Sequence, residues 1–128
     1  RDDVTAEQIA SYREYLLDTI IQVYRNFEKY FDQAWEKDAR TELKSVKGFK
    51  EAVMREIFED TIGYAGCEVN RRILGFAHVA DVQSIADEKR RAAAQLLALS
   101  IGEAAIMMRQ EMNSIDDLVA LGITKTQE

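Results

Sequence analysis

Residues 5–35 read TAEQIASYREYLLDTIIQVYRNFEKYFDQAW, and this stretch decides the fold class. Apolar side chains recur in it at steps of three and four, the period of an α-helix: Ile9, Tyr12, Leu16, Ile20, Val23, Phe27, Tyr30 and Ala34. A second apolar row flanks the first and consists of Leu17, Ile21, Tyr24, Phe31 and Trp35. Thr5 and Gln8 have the spacing of a capping box. The stretch therefore predicts one long helix over 5–38 that is covered on two sides.

The rest of the chain predicts further helices. Proline is absent from the 128 residues, although an average usage of about 5% would give roughly six. The predicted elements after the first helix are a helix over 48–76, a helix over 84–112, a short helix over 114–121 and a loose tail over 123–128. Ser84 or Asp87 would cap the third helix, and Gly122 would close the last. The predicted fold class is all-α, with residues 1–128 forming a single helical domain or subdomain.

The composition argues against several classes of function. The formal net charge is −6, and the basic residues are interleaved with acidic ones, so we expect no nucleic-acid partner. No apolar run approaches the ~20 residues of a membrane span, so we expect no membrane partner. Cys67 is the single cysteine, which fits a reducing cytoplasm, and it is interpreted as a small buried thiol. His78 is the single histidine and is interpreted as structural, so no zinc site is expected.

Residues 59–81 read EDTIGYAGCEVNRRILGFAHVAD and place three glycines, a glutamate and two arginines in one apolar helical run. A glycine inside a helix costs about 1 kcal/mol relative to alanine. Close packing of another helix, or the approach of a ligand to the backbone, would offset that cost at Gly63, Gly66 or Gly75. We also expect the helix to be bent or interrupted near Gly63 and Gly66.

The adjacent arginines Arg71 and Arg72 are the best candidates for a binding function. Their guanidinium groups present forks of donors that match phosphate, carboxylate or vicinal hydroxyl oxygens. Helical neighbours point about 100° apart, so one arginine could face a ligand while the other ties the helix to a second element. Alternatively, Glu68 pairs with Arg71 at i+3 and with Arg72 at i+4 in an ordinary surface arrangement. The spacing alone favours this second interpretation, because most surface ion pairs contribute little.

The remaining polar and sulfur-bearing side chains indicate no site. The carboxylates interpreted as a solvated face are Glu56, Glu59 and Asp60, and the methionines interpreted as core or interface are Met107, Met108 and Met112. Neither a GxGxxG nor a GxxxxGK phosphate loop occurs in the sequence.

The glycine and arginine motif resembles the C-terminal region of the S-methyl-5-thioribose kinases. The resemblance lies in DTIGYAGCE over 60–68, RRI over 71–73 and GFAHVAD over 75–81, and it extends into the alanine-rich third helix. These kinases transfer the γ-phosphate of ATP to the 1-hydroxyl of methylthioribose in methionine salvage, have a two-lobed fold similar to protein kinases, and act as homodimers. The resemblance implies a C-terminal helical subdomain of such a fold. For the whole enzyme it also implies ATP and Mg2+ as cofactors.

The resemblance also assigns a role to the arginine pair. In the family, the arginines that match Arg71 and Arg72 lie close to the sugar and the transferred phosphate, so both are implied to bind substrate. Asn70 departs from the aliphatic residue expected there. The family's His-Gly-Asp catalytic loop is missing, because the one histidine here is followed by Val79. By itself the chain is therefore expected to be catalytically incomplete, with no catalytic residue, metal site or cofactor of its own.

Two functional hypotheses remain open from the sequence. The chain is the helical substrate-side part of a methylthioribose kinase, and its start at Arg1 would then reflect excision from a longer polypeptide. Alternatively, it is a stand-alone helical interaction module derived from such a kinase, with a dimerising surface formed by Tyr24, Phe31 and Trp35. A purely structural bundle with surface arginines is a third possibility. In each case the wide apolar face of the first helix predicts a homo-oligomer.

Overall fold

A computed structural model describes residues 4–76 and 78–127, and these residues form six α-helices. The helices are α1 (Ala6–Asp38), α2 (Thr41–Lys44), α3 (Phe49–Leu74), α4 (Ala80–Gln83), α5 (Glu88–Met108) and α6 (Ile115–Lys125). The described residues contain no strand, so the all-α class is confirmed. The chain divides into two compact units, Arg1–Met54 and Arg55–Glu128. Ala77, which belongs to the GFAHVAD motif, and Glu128 of the predicted tail lie outside the described residues.

The long first helix begins with the predicted capping box. The backbone N–H of Gln8 donates to Thr5 Oγ1 at 3.2 Å, and the backbone N–H of Thr5 donates to Gln8 Oε1 at 2.8 Å. These reciprocal bonds satisfy two donors that have no partner inside the helix. At the other end, the N–H of Ala39 donates to the carbonyl of Trp35, and the chain then turns away.

The two apolar rows of α1 differ in exposure. The second row is shielded: Tyr24 is 6% exposed, and the half-buried rings of Phe31 and Trp35 lie 5.9 Å apart. Trp35 also packs against Phe49 at 5.9 Å. The first row remains largely exposed, at Ile9, Tyr12, Leu16, Ile20, Val23, Phe27 and Tyr30. Burial leaves Tyr24 little surface for a partner, whereas Phe31 and Trp35 are only half-buried, so the dimerising surface formed by these three residues stays a prediction.

The reversal from α1 to α3 depends on a glycine and a lysine. Gly48 has φ +78°, a left-handed conformation that glycine adopts without a steric penalty. Lys50, in the first turn of α3, donates to Asp32 Oδ1 at 2.6 Å and to Glu36 Oε1 at 3.2 Å on α1. These hydrogen bonds, first with Asp32 and then with Glu36, raise the pKa of Lys50. They join the start of α3 to the end of α1.

Helix α3 runs without interruption through Gly63 and Gly66, so the predicted interruption is wrong. The reason lies in the contact between Gly66 and α5. A Cβ atom on Gly66 would lie 2.5 Å from the carbonyl oxygen of Gly102, and one on Gly102 would lie 2.9 Å from that of Gly66. The two backbones therefore touch where the helices cross. This close packing offsets the weak helix propensity of glycine.

The second half of the chain differs from the predicted boundaries in two places. The helix predicted over 84–112 is α5, which is shorter at both ends and follows the short helix α4; its N-cap Asp87, one of the two predicted caps, accepts from the N–H of Arg90 at 2.8 Å. Helix α6 continues through Gly122 to Lys125 rather than ending at 121. Gly122 does not adopt positive φ, the conformation through which a glycine closes a helix.

A small core holds the second unit together. Its buried side chains are Phe58, Ile62, Ala105, Met112, Ile115 and Val119, and Ile62 is fully buried. Of the three methionines predicted as core or interface, only Met112 is buried; Met107 is 72% exposed.

Within the described residues, α5 alone is long and apolar enough to cross a membrane by length and composition. Such a helix is weak evidence for a span, because core helices have the same character.

Arg55 joins α3 to the segment between α5 and α6. Its Nη1 donates to the carbonyl of Met112 at 2.6 Å, and its Nη2 donates to that of Gln110 at 2.7 Å. Its Nε donates to Glu59 at 2.6 Å, and the guanidinium lies 5.5 Å from the ring centre of Phe58. Glu59 is therefore an ion-pair partner, and its interpretation as part of a solvated face is wrong.

We predict that Arg55→Lys destabilises the second unit by roughly 1–3 kcal/mol, because the ammonium group of lysine cannot reproduce the hydrogen bonds that the guanidinium donates to three acceptors. Urea unfolding of the chain measures this change. Arg90→Lys is the matched control, because the Arg90 side chain is exposed on α5. Equal unfolding free energies for the two variants would show that the Arg55 bonds contribute nothing.

We predict opposite effects of alanine at two helical glycines. Gly66→Ala places a methyl group against the α5 backbone and should cost about 1–3 kcal/mol. Gly122→Ala meets no atom within 4 Å and should stabilise α6 by about 0.5–1 kcal/mol. Thermal unfolding of both variants measures the difference, and a stabilising Gly66→Ala would contradict the close crossing.

Candidate functional site

The candidate site lies in the last two turns of α3, on the face that points away from α5. At about 100° per residue, Asn70 lies within roughly 40° of Gly66, on the face that contacts α5. On the same helical wheel, Arg71 and Arg72 lie roughly 140° and 120° from Gly66, in opposite senses. The side chains of Arg71 and Arg72 are accordingly 56% and 47% exposed. The contact that buries Gly66 thus directs the arginine pair toward solvent.

Asn70 packs into the space that the glycines leave. A Cβ atom on Gly102 would lie 2.2 Å from Asn70 Oδ1, so this amide fits only against a residue without a side chain. The Oδ1 atom is buried and has no hydrogen-bond partner among the described residues. The residue that departs from the expected aliphatic side chain is therefore a packing residue between α3 and α5.

Glu68 binds both arginines of the pair. Arg71 donates from Nε to Oε2 of Glu68 at 2.9 Å and from Nη2 to Oε1 at 2.8 Å. Arg72 donates from Nε to the same Oε1 at 2.6 Å. These bonds have the i+3 and i+4 spacing of the surface interpretation, and that pairing is confirmed. The expected tie from Arg72 to a second element is not observed within the described residues.

The two arginines set the electrostatic state of Glu68. The hydrogen bonds from Arg71, and next those from Arg72, lower the pKa of Glu68 to about 2. Glu68 in turn raises the pKa of Arg71. The carboxylate therefore stays ionised at neutral pH, and the three side chains together carry a net charge of about +1. This cluster favours anions over cations.

Part of each guanidinium remains open to a ligand. The Nη1 atoms of both arginines and Nη2 of Arg72 make no hydrogen bond to the described residues. An oxyanion or a pair of hydroxyl oxygens could accept from these groups without displacing Glu68. Chemically, the site can therefore bind and neutralise an anionic group.

A shallow groove lies beside α3 at the level of Gly63. It has a volume of about 260 Å³ and is lined by Asp60, Gly63, Tyr64, Cys67, Ile106 and Arg109. Cys67 is exposed there, so its interpretation as a buried thiol is wrong. Arg109 donates to the carbonyl of Ile106 at 2.7 Å, and a Cβ atom on Gly63 would lie 3.0 Å from its Cδ. Because Gly63 has no side chain, it leaves room for the aliphatic part of the Arg109 side chain.

The described residues contain no candidate metal site. Within 4–76 and 78–127, no group of three or more His, Cys, Asp or Glu side chains could hold a metal ion. His78 is exposed in the connection between α3 and α4. The arginine pair is therefore the strongest cluster of charged donors that the sequence and the structure indicate together.

Comparison with known proteins identifies relatives but no matching family model. A methylthioribose kinase of Yersinia enterocolitica is 36% identical over 111 residues, covering 87% of this chain and 28% of the relative. Methylthioribose kinases of Bacillus velezensis and Geobacillus thermodenitrificans are 38% and 36% identical over 107 residues, and each match covers 84% of this chain. The chain spans about a quarter of the length of these relatives. The resemblance predicted from residues 60–81 is therefore confirmed, and over most of its length the chain is similar to one part of the methylthioribose kinases.

Proposed function

We propose that this chain is the C-terminal helical part of a cytoplasmic methylthioribose kinase, which transfers phosphate from ATP to the 1-hydroxyl of methylthioribose. The observation that carries this proposal is the 36–38% identity to methylthioribose kinases over 84–87% of the chain. The exposed arginine pair supports it, because catalysis of phosphoryl transfer rests mainly on positioning and on positive charge around the moving group.

In this proposal, Arg71 and Arg72 bind the substrate. Their free Nη groups would donate to oxygens of methylthioribose or of the transferred phosphate, and their net positive charge would stabilise the charge on that group. ATP and Mg2+ would be bound by other parts of the whole enzyme, since the sequence has no phosphate loop and no His-Gly-Asp. The contribution of this chain is then substrate positioning.

A second candidate function is a helical interaction module without catalysis. The exposed first row of α1 supports it, because a long apolar face suits a protein partner. The genomic sequence immediately upstream distinguishes the two proposals. A continuous reading frame that contains His-Gly-Asp supports the kinase, whereas a start codon directly before Arg1 supports the module.

We predict that Arg71→Lys, made in the complete protein, lowers kcat/KM for methylthioribose by about 100-fold or more. Lysine keeps the charge but loses the fork that grips two oxygens at once. Steady-state phosphorylation of methylthioribose is the measurement, and the exposed Arg90→Lys on α5 is the control. Near-wild-type kinetics for Arg71→Lys would exclude the substrate-binding role.

We also propose that the protein is a homo-oligomer, and we predict that the exposed row of α1 contributes to the contact. The double substitution Leu16→Glu with Val23→Glu places charges on that row and should shift light-scattering mass toward the monomer. Leu96→Glu serves as the control, since Leu96 is 67% exposed on α5. A wild-type protein that is monomeric at high concentration would contradict the proposal.

A further inference from the structure

Glu68 occupies the position that lets one carboxylate reach both arginines. On the helical wheel, Glu68 lies roughly 60° from Arg71 and 40° from Arg72, between the two directions. Its Oε1 atom accepts from Arg71 Nη2 at 2.8 Å and from Arg72 Nε at 2.6 Å. Two side chains that leave the helix about 100° apart are thereby brought to a single oxygen atom.

This convergence changes what the pair can do. Without a shared acceptor, two adjacent guanidinium groups repel each other and extend separately into solvent. With Glu68 between them, the Nε side of each guanidinium faces the carboxylate. The Nη1 atoms of both arginines then remain available, and Glu68 fixes the positions of the two guanidinium groups relative to each other. Such a pair can grip one anionic group from two sides, which a single surface arginine cannot do.

We propose that Glu68 is a positioning residue that converges Arg71 and Arg72 into one composite site for the sugar substrate and the phosphate transferred to it. The proposal rests on the proposed function, since it concerns the same arginines. It deepens that function because the two arginines then bind the substrate together, as one site, rather than acting separately. Glu68 itself touches no substrate in this arrangement and acts only through the two guanidinium groups.

The proposal differs from two other roles that a paired carboxylate could have. If Glu68 served only the stability of α3, its removal would change unfolding but not the action of Arg71 on substrate. If Glu68 competed with substrate for the arginines, its removal would lower KM for methylthioribose. A positioning role predicts instead that the effect of losing Glu68 depends on an intact Arg71.

The test is a double-mutant cycle in the complete protein, with Glu68→Ala and Arg71→Lys singly and together. Glu68→Ala should lower kcat/KM for methylthioribose by about 10-fold to 100-fold, with KM for ATP unchanged. In the Arg71→Lys background the same substitution should cost less than 3-fold. Glu68→Asp, which keeps the charge on a shorter stem, should recover part of the loss.

The control is Glu59→Gln, which removes an ion-paired glutamate from the same helix but leaves the arginine pair intact. It should lower the unfolding temperature and show no coupling to Arg71→Lys. Thermal unfolding of every variant accompanies the kinetics. If Glu68→Ala does not fold, the same cycle with Glu68→Gln, which keeps the size of the side chain, provides the comparison.

The outcomes separate the inference from the proposed function. Full activity of Glu68→Ala together with a large loss for Arg71→Lys would overturn the positioning role and leave substrate binding intact. A lower KM for Glu68→Ala, or strictly additive losses, would overturn it as well. Full activity of both single variants would overturn the substrate-binding role, and the positioning role with it.

Discussion

The contact between the backbones of Gly66 and Gly102 constrains the rest of the second unit. At a crossing this close, α3 has little freedom to rotate, because any side chain on either glycine would meet the opposite carbonyl oxygen. Asn70 lies one turn further along α3, against the same glycine of α5. The rotation of α3 then decides which residues face solvent, and these are Arg71 and Arg72. A packing constraint on one face of a helix thus orients a charged cluster on the other.

The features that the sequence predicted correctly are mostly local. The capping box of Thr5 and Gln8, and the pairing of Glu68 with both arginines, depend on residues three or four positions apart. Helical periodicity likewise depends on near neighbours, so the all-α class followed from the spacing of apolar residues. Interactions of this range are encoded in the stretch that makes them.

The features that the sequence did not predict depend on distant partners. Arg55 binds carbonyls 55 and 57 residues away, and no local pattern distinguishes it from an ordinary surface arginine. A break was expected at Gly63 and Gly66 because glycine weakens an isolated helix, whereas the packing of Gly66 on α5 keeps α3 continuous. Cys67 is exposed because the face of α3 that carries it borders an open groove rather than the core. The substrate role proposed for the arginines rests on the family resemblance, since spacing favoured a simple surface pairing.

We infer that α3 presents Arg71 and Arg72, held by Glu68, as one site for the substrate and the phosphate transferred to it. A crystal structure of the complete protein with bound methylthioribose and a nucleotide analogue tests this claim most directly. The account predicts substrate or phosphate oxygens within about 2.7–3.2 Å of guanidinium nitrogens of both arginines, with Glu68 still accepting from each. A complex in which both arginines face solvent, or in which the substrate lies against another part of the protein, would contradict it.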